Sequence, residues 1–256
     1  MAGTLDSVTA GMRDTETLAG RLDAVRRRIA AACARAGRDP GSVTLVAVSK
    51  THQPETLLEA VACGQRHFGE NRVEEAAGKI AAVNASAAQP VTWHMVGHVQ
   101  SRKARDAVTL FDWIHSLDNV RLAERYARLS AERPIRLLLE VNLSGEVSKY
   151  GLAAHGWEHD RRIRESLWAD IRRMIEQPGL NVCGLMTMAP MADDPEQVRP
   201  VFAGLRRLRD ALASDFPASA WDVLSMGMTD DYEVAIEEGA TMVRIGRAIF
   251  GPRTTP

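Results

Sequence analysis

The stretch VTLVAVSK, Val43 to Lys50, decides how the rest of the chain reads. Before its terminal lysine it is too short for a helix, rich in β-branched side chains and apolar on both faces. Those features mark a strand buried in a parallel sheet. On its N-terminal side, Leu18, Leu22, Val25, Ile29, Ala32, Cys33 and Ala36 recur at steps of three and four. That period predicts a helix over 15–36, which Gly37 and Pro40 bring to an end. On its C-terminal side strands and helix-compatible segments alternate. Strand candidates fall at 43–49, 66–69, 92–97, 113–117, 136–143, 181–188, 222–226 and 241–245. Eight such units predict an α/β fold, a single TIM-like (β/α)8 barrel over 43–251, with 15–36 as an extra N-terminal helix. A doubly wound sheet gives the same alternation and is the second reading.

Composition bounds the rest. The 256 residues are 45% apolar and show no linker rich in Gly, Pro or Ser, so one domain over 1–256 is expected. Thirty-two basic and 33 acidic side chains nearly cancel. Such a balance provides no field to gather nucleic acid or an anionic membrane, and points to a small-molecule partner. The start MAGTLDSVTAGMRD has no apolar signal region, and no run nears the ~18 apolar residues of a spanning helix. Cys33, Cys63 and Cys183 are odd in number and far apart, without a CxxC pair. A disulfide framework or zinc site is therefore not expected, and a cytoplasmic location is.

The candidate chemistry sits at strand ends. Lys50 follows the first strand directly, which in a barrel brings its amine to the C-terminal mouth. A desolvated lysine there can form a Schiff base; a strand-end lysine reaching into solvent is the bland alternative. The segments LSMGMTDD at 224–231 and VRIGRAIFG at 243–251 put glycines at two successive strand ends, where barrels build phosphate sites. Ser225 offers a hydroxyl, while Gly227 and Gly246 let backbone N–H groups approach an anion. Arg244, two residues before Gly246, points to the same face of its strand and is placed to reach a ring nitrogen.

Together VAVSKTHQP, HFGENRVEE, WHMVGHVQSRK, IHSLD, EVNLSGEVSKYGL, GLMTM and LSMGMTDDYEVAIEEGATMVRIGRAIFG cover nearly the whole chain. In that order they resemble the motifs of the YggS/PROSC-like pyridoxal phosphate homeostasis proteins. The resemblance implies a fold-type III barrel like the N-terminal domain of alanine racemase, with pyridoxal 5'-phosphate as cofactor and Lys50 as its Schiff-base lysine. It further implies Ser225, Met226, Gly246 and Arg247 around the phosphate, Arg244 facing the pyridine nitrogen, and Asn71 and His94 near the ring. The chain departs from the pattern at His52, where many members carry a second lysine, at His98 in place of a proline, and at Arg102 in place of an asparagine. The stretch 153–168 is longer than the usual connection.

That stretch also contains HGWEH, His155 to His159, which fits an H-x-x-E-H zinc pattern. Gly156 inside it weakens the helix such a site needs, so a solvated helix entry is expected and no metal. His94 and His98, if on one strand, stand roughly 13 Å apart and cannot share a metal. The arginines at 161, 162, 164, 172 and 173 are interrupted by Glu165 and Asp170, and read as a solvated helix face.

Three functions compete. The resemblance implies a vitamin B6 carrier that holds the cofactor without catalytic turnover and passes it to apoenzymes that need it. An amino-acid racemase is the alternative, but it draws on a second domain that supplies a tyrosine, and here the sequence ends five residues after Gly251. A cationic Arg244 would also keep the pyridine nitrogen unprotonated and weaken the ring as an electron sink. A barrel isomerase acting on a sugar phosphate would use the same phosphate cup without a Schiff base.

Overall fold

The computed structural model describes residues 17–130 and 135–252. Residues 15 and 16 of the expected first helix lie outside them. Strands β1 (Thr44–Val48), β2 (His67–Glu70), β3 (Thr92–Met95), β4 (Trp113–Leu117) and β5 (Arg136–Asn142) come first, then a short β6 (Leu152–Ala153). Strands β7 (Asn181–Met186), β8 (Val223–Ser225) and β9 (Met242–Ile245) follow. Apart from β6 they pair in parallel around a closed circuit: β1 pairs with both β2 and β9, and β4 with β5. An open doubly wound sheet has two edges, so this closure excludes it.

Helices α1 (Leu18–Arg35), α2 (Pro54–Ala62), α3 (Val73–Ser86), α4 (Ala104–Leu110) and α5 (Val120–Leu129) precede β5. After it come α6 (Arg161–Ile175), α7 (Arg199–Asp215), α8 (Tyr232–Glu237) and α9 (Arg247–Phe250). The N-terminal helix is an integral part of this ring. Helices α8 and α9 are too short to cover their share of the barrel, and α1 packs against both. Its stripe of Leu18, Leu22, Val25, Ile29 and Cys33 is buried, at about 1.5–3 kcal/mol for each large aliphatic side chain. Thr17 caps it by accepting from Gly20 N at 3.1 Å. On the outside, Arg28 and Arg35 pair with Glu233 of α8.

The long connection after β5 has a structure of its own. Gly151, at φ 113°, brings the chain back so closely that a Cβ there would stand 2.8 Å from Asn142 N. This approach lets Leu152 pair beside Val141 as β6. Asp160 then caps α6, accepting from Arg162 N at 2.8 Å. His155 bonds to the Leu143 carbonyl at 3.0 Å, and among the described residues no three His, Cys, Asp or Glu side chains form a metal-binding group. Arg164 lies over Trp168 at 4.6 Å, Arg161 pairs with Glu165, and Arg173 lies 3.6 Å from Glu124.

Barrel lumens are usually filled by branched aliphatic side chains. Here Trp113, Leu138, Met186 and Met242 make a small apolar cluster of their own. His94, His115, Glu140, Ser225 and Arg244 are buried polar groups on β3, β4, β5, β8 and β9. That polar set directs attention to the lumen and to the mouth above it.

Candidate functional site

Lys50 emerges from the C-terminal end of β1, half-buried, on a clamped turn. Just before it, Ser49 N donates to Gly69 O at 2.9 Å, and Ser49 Oγ donates to Glu70 Oε1 at 2.6 Å. Lys79 reaches in from α3, its Nζ 2.7 Å from Glu70 Oε1 and 2.8 Å from Ser49 O. Just after it, Thr51 adopts φ 67°, the one positive φ among the described non-glycine residues. That conformation costs on the order of 1–3 kcal/mol and persists where surrounding contacts impose it. The buried Lys79–Glu70 pair and the His52 N to Ser49 O bond supply those contacts. Sequence reasoning missed Glu70 and Lys79; the chain HFGENRVEE showed a carboxylate without showing that it faces a lysine on the next helix.

Asn71 follows β2, the strand beside β1, and is half-buried. A Cβ on Gly97 would stand 2.2 Å from Asn71 O, so the loop after β3 holds the Asn71 backbone by direct contact. On the other side of β1, Gly246 ends β9, and a Cβ there would stand 3.1 Å from Val48 O. The first N–H groups of α9 open directly beyond it, without intrahelical partners. Gly227 ends β8 at φ 93°, where a Cβ would meet Ala235 Cβ at 2.7 Å. Lys50, Gly246 and Gly227 thus lie on three successive strand ends, β1, β9 and β8.

The remaining residues separate by depth. Met226 donates its N–H to Met242 O at 3.1 Å and packs its side chain into the shell between barrel and helices. The Arg247 guanidinium lies on the exposed rim, paired with Asp230 at 2.5 Å. Arg244 is only 4% exposed; its Nη1 donates to Ser225 Oγ at 2.7 Å and its Nη2 to Thr187 O at 2.9 Å. Burial lowers its pKa to about 10, opposed by the carboxylates of Asp231 and Glu140, so it remains a cation at neutral pH. Burial raises Glu140 to about 7, with the negative charge of Asp118 adding to the shift and Arg244 opposing it. This near-neutral carboxyl inside the lumen was not singled out in the sequence.

Ser225 and His94 are both deeper than the mouth. The Ser225 hydroxyl sits between Arg244 and His115 Nδ1, 2.9 Å away. His115 Nε2 lies 2.9 Å from His94 Nδ1, and His94 Nε2 lies 3.0 Å from His67 Nδ1. His94 stacks on Trp113, with ring centroids 5.8 Å apart. Burial pushes His94 and His115 well below the usual histidine range and His67 below it, so all three are neutral at pH 7. His67 and His115 stand in the quoted motifs HFGENRVEE and IHSLD, but nothing in their spacing signals the contact.

With this geometry in place, comparison with known proteins is informative. Residues 21–254 match the family described as alanine racemase, N-terminal domain. The pyridoxal phosphate homeostasis protein of Aquifex aeolicus is 40% identical over 235 residues, covering 91% of this chain and 97% of that protein. The one from Pseudomonas aeruginosa is 41% identical over 239 residues, covering 93% and 96%. A solved structure of PipY from Synechococcus elongatus, with PLP bound, superposes at TM-score 0.78 and 37% identity, covering 92% of this chain and all of that one. Alanine racemase of Clostridium difficile, 8% identical at TM-score 0.60, shares the fold alone, and the match covers 57% of its length. The closed barrel, the match over most of its length and the 40% identity to the homeostasis proteins place this chain in the alanine racemase N-terminal domain family.

Proposed function

We propose that the protein holds pyridoxal 5'-phosphate as a Schiff base on Lys50 and serves intracellular vitamin B6 homeostasis, without turning over amino acids. The observation that carries this reading is the clamped Lys50 turn facing two glycine-ended strands, with the Arg244 cation buried beside them.

The donor set fits the group. An amine on a half-buried turn suits an aldehyde; the N–H groups at Gly227, Gly246 and the start of α9 suit a phosphate, which side chains there would block. Arg247 on the rim and the Met226–Gly227 turn complete that side, and the Ser225 hydroxyl stands below it. Asn71 and His94 support the ring from β2 and β3, Asn71 at the mouth and His94 from beneath through His115. When bound, the cofactor supplies an electrophilic carbon for the Lys50 amine.

Arg244 is what favours holding over turnover. A guanidinium that stays charged keeps its proton and favours an unprotonated neighbour, which limits the ring's capacity to accept electrons. Tyr126 and Tyr232, two of three tyrosines, have their hydroxyls buried without hydrogen-bond partners. The names of the relatives support the same role. The unpaired Cys33, Cys63 and Cys183 agree with a reducing cytoplasm, and transfer of the cofactor to apoenzymes completes the reading. No helix among the described residues is long and apolar enough to cross a membrane.

The test is borohydride reduction of the protein loaded with pyridoxal phosphate, followed by peptide mapping. The label is expected on Lys50 and absent from Lys50→Ala; a main label on Lys149 or Lys103 overturns the assignment. Exchange of the α-proton of alanine in deuterated water distinguishes the racemase. Lys50-dependent exchange at about 1 per second or faster would establish an enzyme.

A further inference from the structure

Arg244, Ser225, His115, His94 and His67 form a continuous chain of contacts in the lumen, and the cofactor reading gives no role to its far member, His67. Its links measure 2.7, 2.9, 2.9 and 3.0 Å, and they join β9, β8, β4, β3 and β2. Arg244 lies beneath the mouth. His67 is the first residue of β2, at the opposite, N-terminal end of the barrel, and is half-buried.

Counting protons fixes the direction of the chain. Arg244 can only donate, so Ser225 Oγ accepts from it. Ser225 is fully buried, and its own hydrogen has one acceptor among the bonds it makes, His115 Nδ1. That nitrogen is therefore bare and His115 carries its proton on Nε2, which donates to His94 Nδ1. By the same step His94 is protonated on Nε2 and donates to His67 Nδ1, leaving the His67 proton on Nε2. The reverse direction would leave Ser225 accepting twice with its buried hydrogen unpaired, an arrangement that costs the desolvation of that group.

We propose that His115, His94 and His67 are positioning residues for Arg244 and Ser225, imposing one direction of proton donation from the mouth to the far end of the barrel. The role given to Arg244 rests on the cofactor reading above; the direction itself does not. The chain matters at the mouth because a guanidinium whose Nη1 is committed to Ser225 and whose Nη2 is committed to Thr187 presents its remaining N–H groups in one orientation. Reversing the donors turns the Ser225 hydrogen out of the chain and loosens that orientation. Asp112 near His67, Arg136 near His94 and Arg244 near His115 are the charges that bear on the three rings.

The test is two-bond 1H–15N NMR of the histidine rings in protein stripped of cofactor. All three histidines are expected in the Nε2–H form. Any of them protonated at Nδ1 overturns the direction. His67→Leu removes the last acceptor and is expected to shift His115, two links away, toward its Nδ1–H form. His67→Gln keeps an acceptor and is expected to leave His115 unchanged. Affinity for pyridoxal phosphate should fall about fivefold in His67→Leu, the equivalent of roughly one hydrogen bond, and stay near wild type in His67→Gln. An unmoved His115 overturns the transmission, and a shifted His115 with unchanged affinity overturns the positioning role. A borohydride label away from Lys50, with the tautomers as stated, instead removes the cofactor reading and the role drawn from it.

Discussion

Two buried polar networks meet the barrel near its mouth, and they are built on opposite principles. Outside the strand wall, Ser49, Glu70 and Lys79 form a compact charged cluster, assembled within 30 residues of chain. Inside the lumen, three neutral histidines link Ser225 and Arg244 to the far end, across sequence separations of up to 110 residues. The charged cluster holds one backbone turn against its own strain. The neutral chain holds nothing by charge; it specifies which atom donates to which. A site that must keep a lysine fixed and a guanidinium oriented uses the first device for the backbone and the second for the side chain.

The largest expected effect comes from breaking the charged cluster. Glu70→Ala leaves Lys79 buried without its partner, and removal of one member of such a pair costs about 3–5 kcal/mol. Replacing both residues by apolar ones of similar volume should restore much of that loss while freeing the Ser49–Lys50 turn. Denaturant midpoints for the single and double variants, set beside the yield of Lys50 labelling, separate stability from positioning. Full stability in Glu70→Ala would show that the cluster does not bear on the turn.

Titration sharpens the contrast within the lumen itself. Glu140, raised by burial from its ordinary 4.5 to about 7, contributes stability that is present below pH 4.5 and lost as pH rises through 7. A shift of that size corresponds to at most about 3 kcal/mol. His94 and His115 are lowered, so their contribution is present above the ordinary histidine range and lost as pH falls below it. The two slopes oppose each other between about pH 5 and 7. Glu140→Gln should therefore leave stability rising more steeply over that window and higher than wild type at pH 8. Urea melts at pH 5, 6, 7 and 8 measure this, and identical profiles would show that Glu140 ionises freely.

The smallest of these effects is expected from Ser225→Ala, which removes the hydroxyl joining the guanidinium to His115. Leaving those two groups without that partner costs about 1–3 kcal/mol. Calorimetry of the variant, with ring NMR showing His115 released from a single tautomer, checks the claim. A His115 spectrum unchanged from wild type would place its ordering elsewhere.

Much of this architecture was legible in the chain. The β-branched run before Lys50, repeated as eight apolar segments with helical spacers, pointed to the barrel; the end of that run set Lys50 at the mouth, and the period of two set Arg244 and Gly246 on one face of their strand. The long 153–168 stretch resolved into β6, turns and a capped α6, because Gly151 and Asp160 supply the turn and the cap. Less legible was α1, whose heptad-like stripe announced a helix but not its place over the short α8 and α9.

What the sequence determined by itself is local: which segments extend or coil, which side chains share a face, and which motifs stand at strand ends. Only the tertiary structure decided the heights at which those faces meet. Closing a sheet into a barrel staggers its strands by a fixed shear, and that stagger sets which residues of non-neighbouring strands touch across the lumen. For this reason the Ser225 hydroxyl is found between His115 and Arg244, and His94 one ring beyond His115. A hydrogen bond between residues 110 apart depends on that shear and on no spacing along the chain.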